Sequence, residues 1–217
     1  MSVLPRIALF DLDGTLTDPK PGITGSLRYA LDAMGHGLPE EENLDWVIGP
    51  PMLETLAHFL GADRAPAALQ FYRARYGVSG LFENEVYAGI PHVLAELKAS
   101  GWTMFVATSK MEAYAIRIVE HFGLAPFFTR VYGSAEDGSR SDKRELLRYL
   151  LDEEGLEPKR CMMIGDRLYD ARGAKANGIK VTGVTWGFGS REELQAERVD
   201  ALADRPQDLP GLLAKFI

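Results

Sequence analysis

The sequence of 217 residues is long enough to bury a full hydrophobic core and to hold one domain with a smaller inserted domain. Hydrophobic residues make up 46% and charged residues 25% of the chain, which is typical of a soluble globular protein, and no apolar run approaches the length of a membrane span. The net charge is −7 and no basic stripe is present, which argues against a nucleic-acid polymer as partner.

Cysteine content and the N-terminus indicate the compartment. The single cysteine, Cys161, excludes an internal disulfide framework and fits the reducing cytoplasm. The first predicted strand begins within a few residues of Met1, which leaves no room for a signal peptide, so we predict a cytoplasmic protein without a membrane partner. The acidic balance still permits a phosphorylated substrate, because a bound divalent cation reverses the local sign of the charge.

The first strand ends in a pair of carboxylates. Residues 7–10 are four consecutive apolar residues, typical of a strand buried in a parallel sheet. Asp11 and Asp13 follow where that strand ends, at the edge of an open α/β sheet that usually binds ligands. Gly14 lets the backbone turn and approach a ligand closely. The sequence therefore predicts an oxygen-rich site suited to Mg²⁺ and, through the metal ion, to phosphate.

The next segment predicts helices only. A turn-rich stretch at 18–22 precedes a helix with Ile23, Leu27 and Leu31 on one face. A second helix follows residues 49–51 with Leu53, Leu56 and Leu60 on its apolar side, and a third spans about 66–76. We therefore predict a helical cap domain over residues 18–84, inserted into a core formed by residues 1–17 and 85–217.

From residue 86 the pattern alternates between helix and strand. We predict strands over residues 103–107, 131–132, 161–164, 181–184 and 201–203. The helix after the first of these strands is predicted to bury Ile116, Val119 and Phe122. Strands that alternate with helices indicate right-handed βαβ units, so the predicted fold is α/β with a Rossmann-like parallel sheet and an inserted all-helical subdomain.

Three strand ends and one helix start carry distinctive polar groups: Asp11 with Asp13, Thr108 with Ser109, Asp166 with Asp170, and Lys143. In a parallel sheet all of them meet at the same edge. A carboxylate there can attack phosphorus, and a second one can protonate the leaving oxygen and later accept a proton from water. Hydroxyl and ammonium groups can neutralise the phosphoryl oxygens, and a further carboxylate can complete a Mg²⁺ shell.

Simpler interpretations exist for each group alone. Thr108 and Ser109 would serve as a helix N-cap pair, and a lysine such as Lys143 is usually solvated at a helix start. Asp166 and Asp170 would serve as a loop cap and a surface acid. Because all four groups follow in order along one predicted sheet edge, the joint pattern favours a catalytic site over four independent coincidences.

In these motifs the chain resembles phosphatases of the haloacid dehalogenase superfamily, in the group with a small helical cap after the first strand. The resemblance implies that Asp11 is the nucleophile and Asp13 the general acid/base, with Asp11, Asp166 and the backbone carbonyl of Asp13 as Mg²⁺ ligands. It implies that Thr108 binds phosphate and that Lys143 stabilises the negative charges of the nucleophile and the phosphate. It also implies that Asp170 contacts the metal ligands rather than the metal ion itself. The phosphate-binding set that we predict is Gly14, Thr108, Ser109 and Lys143.

Further motifs indicate which branch of the superfamily the chain resembles. Residues 16–19, 48–51, 107–110, 137–143 and 183–189 resemble the branch of phosphoglycolate phosphatases and 5′-nucleotidase-like phosphatases. The runs Thr-Asp-Pro and Thr-Ser-Lys favour a nucleoside 5′-monophosphate as the small phosphorylated substrate, although Met111 stands where nucleotidase-like members usually have proline. Phosphoglycolate is the alternative substrate. A phosphomutase or a non-catalytic phosphate-binding module is the alternative class, and dehalogenation is disfavoured because dehalogenases lack the second aspartate.

Substrate choice is expected to depend on the helical insert, because the core motifs contact only phosphate and metal. The candidate selectivity residues are Lys20, Ile23, Gly49, Pro50 and Lys110. The simpler interpretation is that the glycine and proline shape a turn and that Lys110 is solvated.

Overall fold

A computed structural model describes residues 6–216, apart from the side chain of Phe216. Its strands are β1 Arg6–Phe10, β2 Thr17–Asp18, β3 Glu85–Val86, β4 Trp102–Met111, β5 Arg130–Ser134, β6 Cys161–Gly165, β7 Lys180–Val184 and β8 Ala201–Ala203. Its α-helices are α1 Lys20–Ala33, α2 Met52–Leu60, α3 Ala65–Arg75, α4 Ile90–Ala99, α5 Glu112–His121, α6 Lys143–Glu154, α7 Leu168–Ala176, α8 Arg191–Ala196 and α9 Leu209–Leu213. None of the helices within the described part of the chain combines the length and apolarity needed to span a bilayer.

Six strands form one parallel sheet in the order β5-β4-β1-β6-β7-β8. Strand β1 is interior, with Leu9 opposite Phe105 of β4 on one side and Met163 of β6 on the other. The predicted Rossmann-like parallel sheet is confirmed. Because all six strands run the same way, the residues that follow β1, β4 and β6 lie at one edge of the sheet.

The sheet is buried on both faces. The side chains of β1 from Ile7 to Phe10 are at most 2% exposed, as an α/β sheet covered by helices requires. Helix α6 packs its leucines against the sheet, in a cluster that includes Phe105 and Met163. Cys161 is buried in β6, where burial raises the pKa of its thiol to about 12, so it behaves as a small apolar residue.

Residues 18–85 form a separate compact unit, while the residues up to Thr17 and from Val86 onward form the other. The inserted unit contains α1, α2 and α3, which confirms its predicted helical character. Helix α1 begins with a proline in its first turn, buries Leu27 and Leu31 completely, and is followed by Gly35 in the left-handed region at φ 72°. Strands β2 and β3 pair in a two-stranded sheet at the two points where the chain passes between the units.

Two predicted apolar faces are partly wrong. Ile116 is 38% exposed, and the buried face of α5 consists of Ala115, Ile118 and Val119. Leu53 on α2 is 43% exposed, while Thr55 and Leu56 are the buried residues of that helix.

Candidate active site

The predicted core residues converge at the carboxyl edge of the sheet. Asp11 and Asp13 follow β1, Thr108 and Ser109 lie within β4, Asp166 follows β6, and Lys143 is the first residue of α6. The backbone N–H of Asp11 still donates to the carbonyl of Ile164 at 2.9 Å, so the first carboxylate is fixed to the end of the β1–β6 ladder.

Lys143 is the most highly connected group of the cluster. Its Nζ lies 2.9 Å from Asp11 Oδ1, 2.8 Å from Asp170 Oδ1 and 2.8 Å from the carbonyl oxygen of Ala107. The residue is only 5% exposed, so the interpretation as a solvated lysine is wrong. Burial alone would lower the pKa of the ammonium, but the carboxylates of Asp11 and Asp170 outweigh burial and raise it. Lys143 therefore stays charged inside the protein.

The sequence around Lys143 fixes its position. Asp142 is the N-cap of α6, and its Oδ1 accepts a hydrogen bond from the backbone N–H of Arg144 at 2.7 Å. Two glycines make room for the charged pair: a Cβ on Gly173 would lie 2.6 Å from Lys143 Cγ, and a Cβ on Gly165 would lie 2.3 Å from Asp170 Cγ. Neither glycine was predicted to have a role. Gly173 carried a signal, since glycine in a helix interior is unfavourable without a packing reason.

Three carboxylates form a candidate metal centre. Asp11, Asp166 and Asp170 each offer an oxygen, and these oxygens all lie within 4.8 Å of one another. Burial, together with the neighbouring charges of Asp170 and Asp11, holds the pKa of Asp166 well above its ordinary value. Burial likewise raises the pKa of Asp170 to about 6, although the Lys143 ammonium opposes it. A divalent cation would relieve this crowding of negative charge, and carboxylate oxygens are the ligands that Mg²⁺ prefers.

Asp13 pairs with a second buried lysine. Asp13 Oδ2 lies 2.7 Å from Lys110 Nζ, and the two side chains are 16% and 8% exposed. The simpler interpretation, in which Lys110 is solvated, is therefore wrong. Asp13 Oδ1 is buried and has no hydrogen-bond partner among the residues that the structure describes. Burial raises the pKa of Asp13, and the Lys110 ammonium acts in the opposite direction.

The predicted phosphate-binding groups surround the same edge. Thr108 is buried, and its hydroxyl accepts a hydrogen bond from the backbone N–H of Lys110 at 3.2 Å. Helix α5 begins only at Glu112, and its N-cap Met111 makes no side-chain capping bond, so the N-cap interpretation of Thr108 and Ser109 is wrong. Ser109 is half-buried. Gly14 has φ 83°, a conformation that favours glycine, and a Cβ there would lie 2.3 Å from Asp166 Oδ2.

The other predicted selectivity residues belong to the inserted unit. Lys20 Nζ lies 2.5 Å from Asp45 Oδ1 with both side chains half-exposed. Ile23 is buried, at 6% exposure. Gly49 is exposed at φ 111°, and Pro50 is half-buried beside it, which is consistent with a turn before α2.

Sequence reasoning missed the groups that hold Asp166. Its Oδ2 accepts a hydrogen bond from the backbone N–H of Phe188 at 2.7 Å, and its Oδ1 accepts one from the hydroxyl of Thr15 at 3.4 Å. Phe188 lies in the motif at residues 183–189 and Thr15 directly follows Gly14, but the sequence does not reveal that the two residues meet at one carboxylate, because that contact depends on the order of the strands.

Comparisons with known proteins identify the family. Residues 8–184 match the family model described as haloacid dehalogenase-like hydrolase. A 5′-nucleotidase of Pseudomonas aeruginosa is 48% identical over 88% of this chain and 87% of its own length. The tyrosine-protein kinase PtkA of Mycobacterium tuberculosis is 42% identical over 85% of this chain and 64% of its own length. The crystal structure of a predicted phosphatase from Clostridium acetobutylicum has a TM-score of 0.92 and 36% identity, and covers 98% of this chain and 100% of that chain. With its parallel sheet, its paired aspartates and its buried lysine, the chain belongs to the haloacid dehalogenase-like hydrolases and is a phosphatase.

Proposed function

We propose that this phosphatase hydrolyses a small phosphomonoester through a phosphorylated Asp11, and that its substrate is a nucleoside 5′-monophosphate. The observation that carries the proposal is the buried ion pair between Lys143 Nζ and Asp11 Oδ1 at 2.9 Å. An ammonium in this position orients a carboxylate and offers positive charge where a phosphoryl group would arrive.

The proposed reaction has two steps. In the first, an oxygen of Asp11 attacks phosphorus, the bond from phosphorus to the leaving oxygen breaks, and Asp13 donates a proton to that oxygen. In the second, water attacks the phosphorus of the acyl phosphate and gives a proton to Asp13, and inorganic phosphate leaves with Asp11 restored. Thr108, Ser109, Lys143 and the backbone at Gly14 would bind the phosphoryl oxygens.

We propose Mg²⁺ as the cofactor. The carboxylates of Asp11 and Asp166 and the backbone carbonyl of Asp13 would hold it, while Asp170 would remain paired with Lys143. When bound, the ion supplies positive charge that draws the phosphate and the nucleophile together. The donor set fits, because Asp11 and Asp166 both belong to the buried group of carboxylates whose oxygens lie within 4.8 Å of one another, and carboxylate oxygens are ligands that Mg²⁺ prefers.

The substrate proposal rests on two supports. The Thr-Asp-Pro and Thr-Ser-Lys runs of the sequence favour the nucleotidase-like branch, and the relative named 5′-nucleotidase is 48% identical. Phosphoglycolate is the alternative substrate. We further propose that the inserted helical unit is the domain that selects between them, since the core residues would contact only the phosphoryl group and the metal ion.

The test is phosphate release from a panel of nucleoside monophosphates, phosphoglycolate, sugar phosphates and an aryl phosphate, with Mg²⁺ and with excess chelator. We expect the highest kcat/KM for a nucleoside 5′-monophosphate and loss of activity in chelator. Asp11→Asn is the control variant, because an amide cannot attack phosphorus. Activity retained by Asp11→Asn would overturn the covalent mechanism, activity retained in chelator would overturn the metal role, and a preference for phosphoglycolate would overturn the substrate.

A further inference from the structure

The loop after β7, residues 185–190, approaches the candidate metal centre although no sequence motif assigned it a role. Strand β7 pairs with β6, with Gly183 opposite Gly165, so the loop leaves the sheet beside Asp166. The backbone N–H of Phe188 donates to Asp166 Oδ2 at 2.7 Å. Asp166 is fully buried, so this hydrogen bond largely fixes the orientation of its carboxylate.

The same loop is also attached to the turn that follows β1. The indole N–H of Trp186 donates to the backbone carbonyl of Thr15 at 3.1 Å. The hydroxyl of Thr15 in turn lies 3.4 Å from Asp166 Oδ1. The Trp186 hydrogen bond thus joins the loop to the segment that follows Asp11. It holds together Phe188 and Thr15, the two residues that donate hydrogen bonds to the oxygens of Asp166.

Two glycines allow the loop to come this close. A Cβ on Gly187 would lie 2.3 Å from the carbonyl oxygen of Gly14 and 2.4 Å from Asp166 Oδ2. A Cβ on Gly189 would lie 1.8 Å from the carbonyl oxygen of Asp166. Neither glycine has a positive φ, so the requirement is for space rather than for an unusual backbone conformation.

We propose that residues 186–189 are a positioning element for the cation, in which Trp186 and Phe188 hold Asp166 so that it offers a single oxygen to the ion. Because Phe188 donates to Oδ2 at 2.7 Å while the Thr15 hydroxyl reaches Oδ1 only at 3.4 Å, Oδ1 is the less strongly held oxygen and the one available for coordination. One oxygen per carboxylate suits the compact octahedral shell of Mg²⁺, whereas Ca²⁺ accepts two-oxygen carboxylate ligands and more of them. This inference rests on the Mg²⁺ site of the proposed function and adds that the loop determines its affinity and its selectivity.

The test measures cation binding without substrate, as the rise in melting temperature during titration with Mg²⁺ or Ca²⁺. Trp186→Phe keeps an aromatic ring but removes the N–H donor, and Gly187→Ala adds the Cβ that has no room. Gly211→Ala is the matched control, because a Cβ there meets nothing within 4 Å. We expect Trp186→Phe to raise the midpoint Mg²⁺ concentration about 10-fold, as loss of a group that orients a ligand usually does, with a smaller change for Ca²⁺.

The outcomes distinguish the proposed Mg²⁺ site from the positioning role of residues 186–189. Wild-type protein without any Mg²⁺-dependent rise would overturn the proposed metal site and this inference with it. Wild-type binding together with an unchanged midpoint in Trp186→Phe would overturn this inference alone. An equal loss for Mg²⁺ and Ca²⁺ would overturn the selectivity role. If Gly187→Ala fails to fold, Trp186→Phe alone still tests the inference. A purely structural role of Trp186 would lower the melting temperature without metal and leave the midpoint Mg²⁺ concentration unchanged.

Discussion

At the scale of single residues, the site depends on two lysines that are buried with carboxylates. Lys143 contacts Asp11 and Asp170, while Lys110 contacts Asp13. Removing one partner from a buried pair leaves an uncompensated charge, which typically costs 3–5 kcal/mol. The two lysines therefore differ from ordinary surface cations, and each holds a carboxylate in one orientation.

Lys110 provides the prediction at this scale. With Asp13 Oδ2 bound to Lys110, Oδ1 is the buried oxygen left for proton transfer. Lys110→Met should loosen Asp13 and slow the reaction most for substrates whose leaving oxygen needs a proton. We expect kcat for a nucleoside monophosphate to fall at least about 10-fold more than kcat for an activated aryl phosphate, within the range typical of proton-transfer groups.

Lys110→Arg is the control, since it keeps a cation beside Asp13. A rise in KM with an unchanged ratio of the two kcat values would show that Lys110 binds substrate instead, as expected for a selectivity residue. Steady-state kinetics on the two substrates distinguish these results.

At the scale of secondary structure, helix α6 positions Lys143 through its N-cap. Hydrogen bonds from the guanidinium of Arg144 and, to a smaller extent, from its backbone N–H lower the pKa of Asp142 to about 2, although burial opposes them. A carboxyl with a lowered pKa stabilises the fold while it is ionised. Its contribution is therefore complete above its ordinary value of 3.8 and is lost as the pH falls through about 2.

We predict that Asp142→Ala lowers the free energy of unfolding by about 1 kcal/mol at neutral pH, as loss of an N-cap usually does. The difference from wild type should shrink as the pH falls below 3.8 towards about 2. Urea unfolding across this range measures it. Asp152→Ala in the last turn of the same helix is the control and should show no such loss, because an acidic residue there is unfavourable for the helix dipole. A pH-independent difference would contradict the capping role.

The predictable elements are those that a local pattern defines. Strand β1 is marked by four apolar residues and two aspartates, and α6 by regularly spaced leucines, so both could be predicted. Strands β2 and β3 have two residues each, too few to show a period. The contact of Phe188 with Asp166 follows from the pairing of β6 with β7, and no local pattern encodes that neighbourhood. The buried face of α5 likewise includes Ala115 while the larger Ile116 is 38% exposed, which hydrophobicity alone does not reveal.

At the scale of the whole molecule, the chain has two compact units. In the inserted unit Leu27, Leu31, Leu56 and Tyr72 are buried. Ile23 is also buried, at 6% exposure, so its replacement by alanine is expected to cost roughly 2–5 kcal/mol, and this loss of stability would obscure an effect on substrate choice.

Lys20 is the better test of the inserted unit. Its side chain is 47% exposed and paired with Asp45, so its removal should change stability little. We expect Lys20→Ala to lower kcat/KM unequally across nucleoside monophosphates, phosphoglycolate and an aryl phosphate, by several-fold for the preferred substrate. Arg73→Ala, an exposed cation on α3, is the control. Equal changes for all three substrates would exclude Lys20 from substrate choice.

The interior place of β1 has a consequence for how the protein is made. Residues 6–10 leave the ribosome before their partners in the sheet, which are residues 102–106 and 161–164. Until these partners are synthesised, the apolar strand has two unpaired edges and is prone to associate with other chains. Asp11, Lys143 and the Asp166 carboxylate also come together only after residue 166 has been translated. We therefore expect a chaperone to shield the nascent strand, and phosphatase activity to be absent from nascent chains that end before residue 166.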